Sequence, residues 1–165
     1  MKRSTITVFL SALAISLVPV SSSGAARNPA LPIAARTPGA IDPHVTQANI
    51  SSTICVTGYT TTVRPSSSYT RALKISQLAS GYALGADRLT SHYEEDHLIS
   101  LELGGSPSAP SNLWPEPYAI ANGARTKDTL ENALHRLVCA RVVPLAVAQR
   151  AIATNWIAAY SRYVG

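Results

Sequence analysis

Tyr93-Glu94-Glu95-Asp96-His97-Leu98-Ile99-Ser100-Leu101-Glu102-Leu103-Gly104-Gly105, followed shortly by Ser111-Asn112-Leu113-Trp114-Pro115-Glu116-Pro117, is the stretch on which the reading of this chain turns. An acidic residue, Asp96, directly precedes a histidine, His97, and Asn112 follows fifteen positions after that histidine. A carboxylate is a hard oxygen ligand for a cation. An imidazole titrates near neutrality and suits a general base. An amide further on can hold the base in place.

Local pattern places these residues on a hairpin. Leu98, Ile99, Leu101 and Leu103 make His97–Leu103 strand-like, and Gly104-Gly105 reverses the chain. Asn112–Trp114 forms the return strand, which Pro115 and Pro117 are expected to break. A helix follows from about Ala121 to Ala140, with Leu130, Ala133, Leu134, Leu137 and Val138 on one apolar stripe and Asp128, Glu131, Asn132 and His135 opposite. Upstream, Ile54–Val63 is β-like. Ser66, Ser67 and Ser68 offer caps for a helix near Tyr69–Ser80, with Leu73 and Leu78 buried and Gly81 as its stop. A last helix near Leu145–Tyr163 buries Ala148, Ile152, Trp156 and Ala159.

Strand, turn, strand, helix, with Asp-His on the first strand and Asn-Leu at the second, resembles the HNH endonucleases of the ββα-metal class. The resemblance spans about Tyr93 to Cys139 and rests on Asp96, His97, Gly104, Gly105, Asn112 and Leu113. It implies an α+β fold with a ββα-metal hairpin-plus-helix core, to which this chain adds further helices and a short N-terminal β segment. It also implies hydrolysis of phosphodiester bonds in DNA or RNA; with no recognition helix or zinc module in the sequence, non-specific attack is the simpler expectation. In that family the histidine takes a proton from the attacking water, the role of His97 here. Asp96 matches the first metal ligand, and Mg²⁺ or Mn²⁺ is the implied cofactor. Asn112 matches the asparagine that orients the base and steadies the turn.

The second ligand departs from the family pattern. The family carries a His or Asn early in the helix; Ala121 cannot serve, and Asn122 is the candidate, with a plain helix cap as its other reading. Glu131 and His135, at i,i+4, offer a further pair, or simply a solvated face. The missing histidine argues against a three-histidine zinc site. Arg125 and Lys127, at the helix start, are candidates to grip phosphate, with ordinary solvated charge as the alternative. Arg64 has the same two readings. Adjacent strand residues point to opposite faces, so Asp96 and His97 converge on one substrate only where the strand bends or ends. A non-catalytic binding module that keeps the same scaffold is the rival reading.

The chain ends and the cysteines complete the picture. Lys2 and Arg3, an apolar run from about Ile6 to Val20 and the small residues to Ala26 form the pattern of a signal peptide over residues 1–25. The run is short for a bilayer span. A secreted or periplasmic product with no stable membrane insertion is expected. Residues 26–50 read as a Pro/Ala-rich arm or linker, leaving 51–165 as one nuclease-like domain with its motif core at 93–139. Without Lys2 and Arg3, twelve basic residues face nine acids, a net charge of +3. That mild excess suits a polyanion without singling one out. Cys55 and Cys139 are expected to pair in an oxidising compartment, with two buried thiols as the alternative.

Overall fold

A computed structural model describes residues 27–165; the expected leader over 1–25 lies outside them. Six regular elements follow in order: α1 (Tyr59–Val63), α2 (Ser67–Gln77), β1 (Tyr93–His97), β2 (Leu113–Pro117), α3 (Ala124–Cys139) and α4 (Leu145–Tyr163). The architecture is α+β. Its sheet is a single antiparallel pair, β1 with β2, in the register Glu94 opposite Glu116 and Asp96 opposite Trp114. No helix among the described residues is long and apolar enough to cross a membrane.

The hairpin sits earlier than its apolar run suggests. β1 is Tyr93–His97, and Leu98–Leu103 is a buried loop ending in a tight turn over Leu101–Leu103. Backbone groups of that loop are satisfied by side chains instead of a ladder. Ser100 Oγ accepts from the Glu102 amide, and Asn112 bonds both the N–H and the carbonyl of Ile99. A Cβ on Gly105 would fall 1.7 Å from the Ile99 carbonyl oxygen, so only glycine allows the loop to close.

The prolines do not break β2. The Leu98 amide donates to the Asn112 carbonyl, and the Tyr118 amide to the His92 carbonyl. These two bonds place the even-numbered residues of both strands at hydrogen-bonded positions. Pro115 and Pro117 therefore fall at alternate positions where no N–H is required.

Among the described residues the expected N-terminal β segment is absent, and Tyr59–Val63 is helical. The run Thr60-Thr61-Thr62 favours strands only where a pleated, half-buried surface exists to receive it. Here Thr61 and Thr62 are exposed, and Thr62 Oγ1 bonds back to the Tyr59 carbonyl. Ser66 caps α2 as expected, its Oγ accepting from the Tyr69 amide. α2 stops at Gln77, and a wide turn over Leu78–Tyr82 carries Gly81 at φ 114°.

α3 starts at Ala124, later than its polar lead-in suggests, because Asn122 adopts φ 57°. Leu130, Leu134 and Val138 are fully buried, together with Ile152 and Trp156 of α4. α4 spans the expected residues but breaks at Asn155 (φ −165°, ψ 96°), whose Oδ1 caps the second half through the Ala158 amide.

The supposed arm is part of the fold. Ala30 and Thr37 are buried, the Trp156 indole donates to the Ala30 carbonyl at 2.7 Å, and Thr37 Oγ1 meets the Tyr82 hydroxyl. Small residues that resemble a linker in composition serve here for close backbone approach. Cys55 and Cys139 form a disulfide that joins the segment before α1 to the end of α3.

A candidate active site in an acidic cleft

Residues two apart on a strand share a face. Glu94 and Asp96 of β1 thus lie on one face of the hairpin with Glu116, the cross-strand partner of Glu94. α3 brings Lys127, Asp128 and Glu131 to that face. Between them and the Ser100–Glu102 turn lies a cleft of about 240 Å³. Five of the nine acids line it: Glu94, Asp96, Glu102, Asp128 and Glu131. His97 and Arg64 complete the chemistry of its wall.

Asp96 and His97 reach the same cleft because β1 ends at His97. The His97 residue is 5 % exposed. Its Nε2 lies 2.8 Å from the Pro107 carbonyl oxygen, which can only accept, so Nε2 carries the proton and Nδ1 keeps a lone pair. Burial pushes the imidazole below its ordinary pKa, against the opposing pull of the Pro107 carbonyl and Asp96. The ring is neutral, with a defined tautomer.

Lys127 sits at the back of the cleft, 1 % exposed. Its Nζ donates to Asp96 Oδ2 at 2.6 Å, to the His97 carbonyl at 2.7 Å and to Glu131 Oε1. Burial works against the ammonium, but Asp96, Glu131 and Glu116 overcome it and hold its pKa above the usual lysine value. Burial also raises Asp96, yet Lys127 more than offsets this and keeps that carboxyl below the usual range. Glu131 is pushed up to about 8 by burial, with Lys127 opposing. Glu116 is fully buried, and burial with the Asp96 charge takes it to about 11. Glu116 is therefore a neutral acid at physiological pH.

The remaining candidates fall elsewhere. Asn112 is buried, and its side-chain amide makes no hydrogen bond to His97. Its amide accepts from Ile99 and Ala40 and donates to the Ile99 and Ser106 carbonyls. It thereby holds the loop whose next residue, Pro107, orients the imidazole. Asn122 is in an exposed turn outside the cleft lining, so it is not placed to complete a site with Asp96. Arg125 is exposed and also outside that lining. Lys127 is not free to grip phosphate, because its three protons already have acceptors. Glu131 and His135 do not share a ligand position: Glu131 pairs with Lys127, and His135 Nε2 bonds the Ile54 carbonyl. Cys55, Cys139 and His135 bring ligand atoms within 4.8 Å of one another, but both sulfurs are joined in the disulfide.

From the sequence, Glu94 reads as a supporting partner of the site or an exposed strand charge, and Glu102 as a hydrogen-bond partner of the turn or of a basic helix residue; both, with Asp128, line the cleft. The i,i+2 spacing of Glu94 and Asp96 was a usable signal for the first; nothing local announces that Glu102 turns inward. The chain matches no protein-family model, no curated protein and no solved structure in the comparisons made.

Proposed function

We propose that the cleft hydrolyses phosphodiester bonds in nucleic acid with the help of a divalent cation, as the resemblance to HNH endonucleases implies. The observation that carries this reading is a neutral imidazole with Nε2 protonated, lining the same wall as a lysine-charged Asp96 in a five-carboxylate cleft. The carboxylates around Asp96 offer oxygen donors, which suits Mg²⁺ or Mn²⁺. Even with Glu131 protonated at its raised pKa, Lys127 and Arg64 do not balance the four other carboxylates, so the cleft favours a further cation and repels a bare phosphodiester.

Asp96 is the first ligand in this reading, with Glu94, Asp128 and Glu131 replacing Asn122 as the source of the second. A bound cation would supply stabilisation of charge at the phosphate and the leaving oxygen. His97 Nδ1 takes the proton from the attacking water. Pro107 holds the ring by its other nitrogen. Arg64, the one cationic side chain in the cleft lining, binds a non-bridging phosphate oxygen.

The test is plasmid nicking by the disulfide-bonded chain with Mg²⁺ or Mn²⁺. EDTA abolishes nicking. His97→Gln reduces it by at least about 100-fold while the variant stays folded. Full activity in that variant overturns the mechanism. A non-catalytic module has one observation in its favour: Lys127 already neutralises part of the acidic cluster. Calorimetric Mn²⁺ titration separates the two, since an inert module binds the ion no better than Asp96→Ala does.

A further inference from the structure

Outside the cleft the balance of charge reverses. Of the twelve Lys and Arg in the described residues, Arg64 and Lys127 alone reach the cleft. Of the four acids outside its lining, Asp42 and Asp87 are paired with His44 and His92, and Glu95 and Glu116 have buried oxygens. The molecule is an acidic hole in a basic body.

One basic surface lies a short stretch of chain away from the hole. Ser67, Thr70, Arg71 and Lys74 of α2, with Thr90 and Ser91, line a recess of about 380 Å³. No carboxylate lines it. Ser67, Arg71 and Lys74 stand at i, i+4 and i+7, one face of the helix. Lys74 ties the two walls together, donating to the Thr90 carbonyl at 3.1 Å and the Tyr93 carbonyl at 2.8 Å. Arg71 is exposed and makes no hydrogen bond or ion pair among the described residues, so its full charge faces solvent, beside the hydroxyls of Ser67, Thr70, Thr90 and Ser91. Short stretches of chain link both walls to the cleft. α2 begins three residues after Arg64, and Thr90-Ser91 leads through His92 into β1, whose Glu94 and Asp96 line it.

We propose that this recess is a second phosphate site, taking a flanking phosphate of the same nucleic-acid strand whose scissile phosphate meets Arg64. The proposal rests on the phosphodiesterase reading above and adds what that reading needs. A polyanion approaching five carboxylates requires cations beside the cleft, and guanidinium with several hydroxyls is the donor set that phosphate oxygens accept from. The site contacts backbone only, so it confers affinity without base preference.

The experiment measures binding of a fluorescent single-stranded oligonucleotide to the full chain, in a His97→Gln background with Mn²⁺, by anisotropy across a NaCl series. Arg71→Ala weakens binding and lowers the slope of log K against log [salt] by about 0.7, the value of one single-strand phosphate contact. Arg150→Ala, on α4 and away from the recess, leaves the slope unchanged. An unaltered slope in Arg71→Ala, or an equal loss in Arg150→Ala, overturns the recess. Failure of the parent protein to bind the oligonucleotide at all removes the phosphodiesterase reading, and the recess with it.

Discussion

Lys127 shows how far one side chain can shift in meaning between sequence and fold. At the start of a helix it reads as a solvated charge or a phosphate grip. In the fold its ammonium is buried between Asp96, the His97 carbonyl and Glu131. Lys127→Met leaves two buried carboxylates without a counter-charge, and removing one partner of a buried pair costs about 3–5 kcal/mol. Urea denaturation at pH 7 should show that loss, and adding Asp96→Asn and Glu131→Gln to Lys127→Met should recover part of it. His97 carries the second prediction at this scale. Burial disfavours the imidazolium, so the folded pKa lies below the ordinary 6.5. The ring therefore stays unprotonated at a pH where an exposed histidine has lost its lone pair. The acidic limb of a kcat/KM profile for nicking should fall below pH 6.5; a limb above it contradicts the buried, neutral ring.

The hairpin and its loop hold the next set of consequences. Asn112→Ala removes an amide that makes four hydrogen bonds to loop and arm backbone. At roughly 1 kcal/mol each the loss is about 2–4 kcal/mol, readable as a lower urea midpoint, and nicking should fall with it as Pro107 loses its anchor. Glu95, on the opposite face of β1 from Asp96, has both oxygens buried without a hydrogen-bond partner, and burial raises it to about 8 despite Lys74. A carboxyl raised in the folded state contributes its stability below the unfolded pKa near 4.5 and loses it as pH rises towards 8. Glu95→Gln should therefore raise Tm at pH 8 by about 4 °C and leave it nearly unchanged at pH 4. Thermal melts at the two pH values check this, and equal shifts at both contradict it. The existence of a hairpin was legible from Gly104-Gly105 and the apolar run. Its register was not, because the alternation that marks a strand belongs here to a buried loop held by Ser100 and Asn112.

Over the whole molecule, the disulfide and the packed N-terminal segment define the domain. Cys55 and Cys139 are 84 residues apart, and closing a loop of that length is worth about 4.5 kcal/mol in the chain-entropy model. The double Cys→Ser variant should melt well below the oxidised chain in calorimetry. An unchanged Tm would show that the link adds nothing to stability. Residues 26–50 read as an arm or linker by composition, yet Ala30 and Thr37 within them bond Trp156 and Tyr82, and Gly39 and Ala40 bond the loop before β2. Their partners lie far along the chain, and no local pattern announces them. Short-range spacing suffices to read the caps, the apolar stripes of α3 and α4, the cysteine pair and the Asp96-His97 dipeptide, because each depends on neighbours within a turn or two or on residue chemistry alone. Which carboxylates face one another, which lysine is charged in the interior and which nitrogen of His97 keeps its lone pair are settled by folding in three dimensions. Those properties come from desolvation and from contacts between β1, α3 and distant loops, and a linear string encodes neither directly.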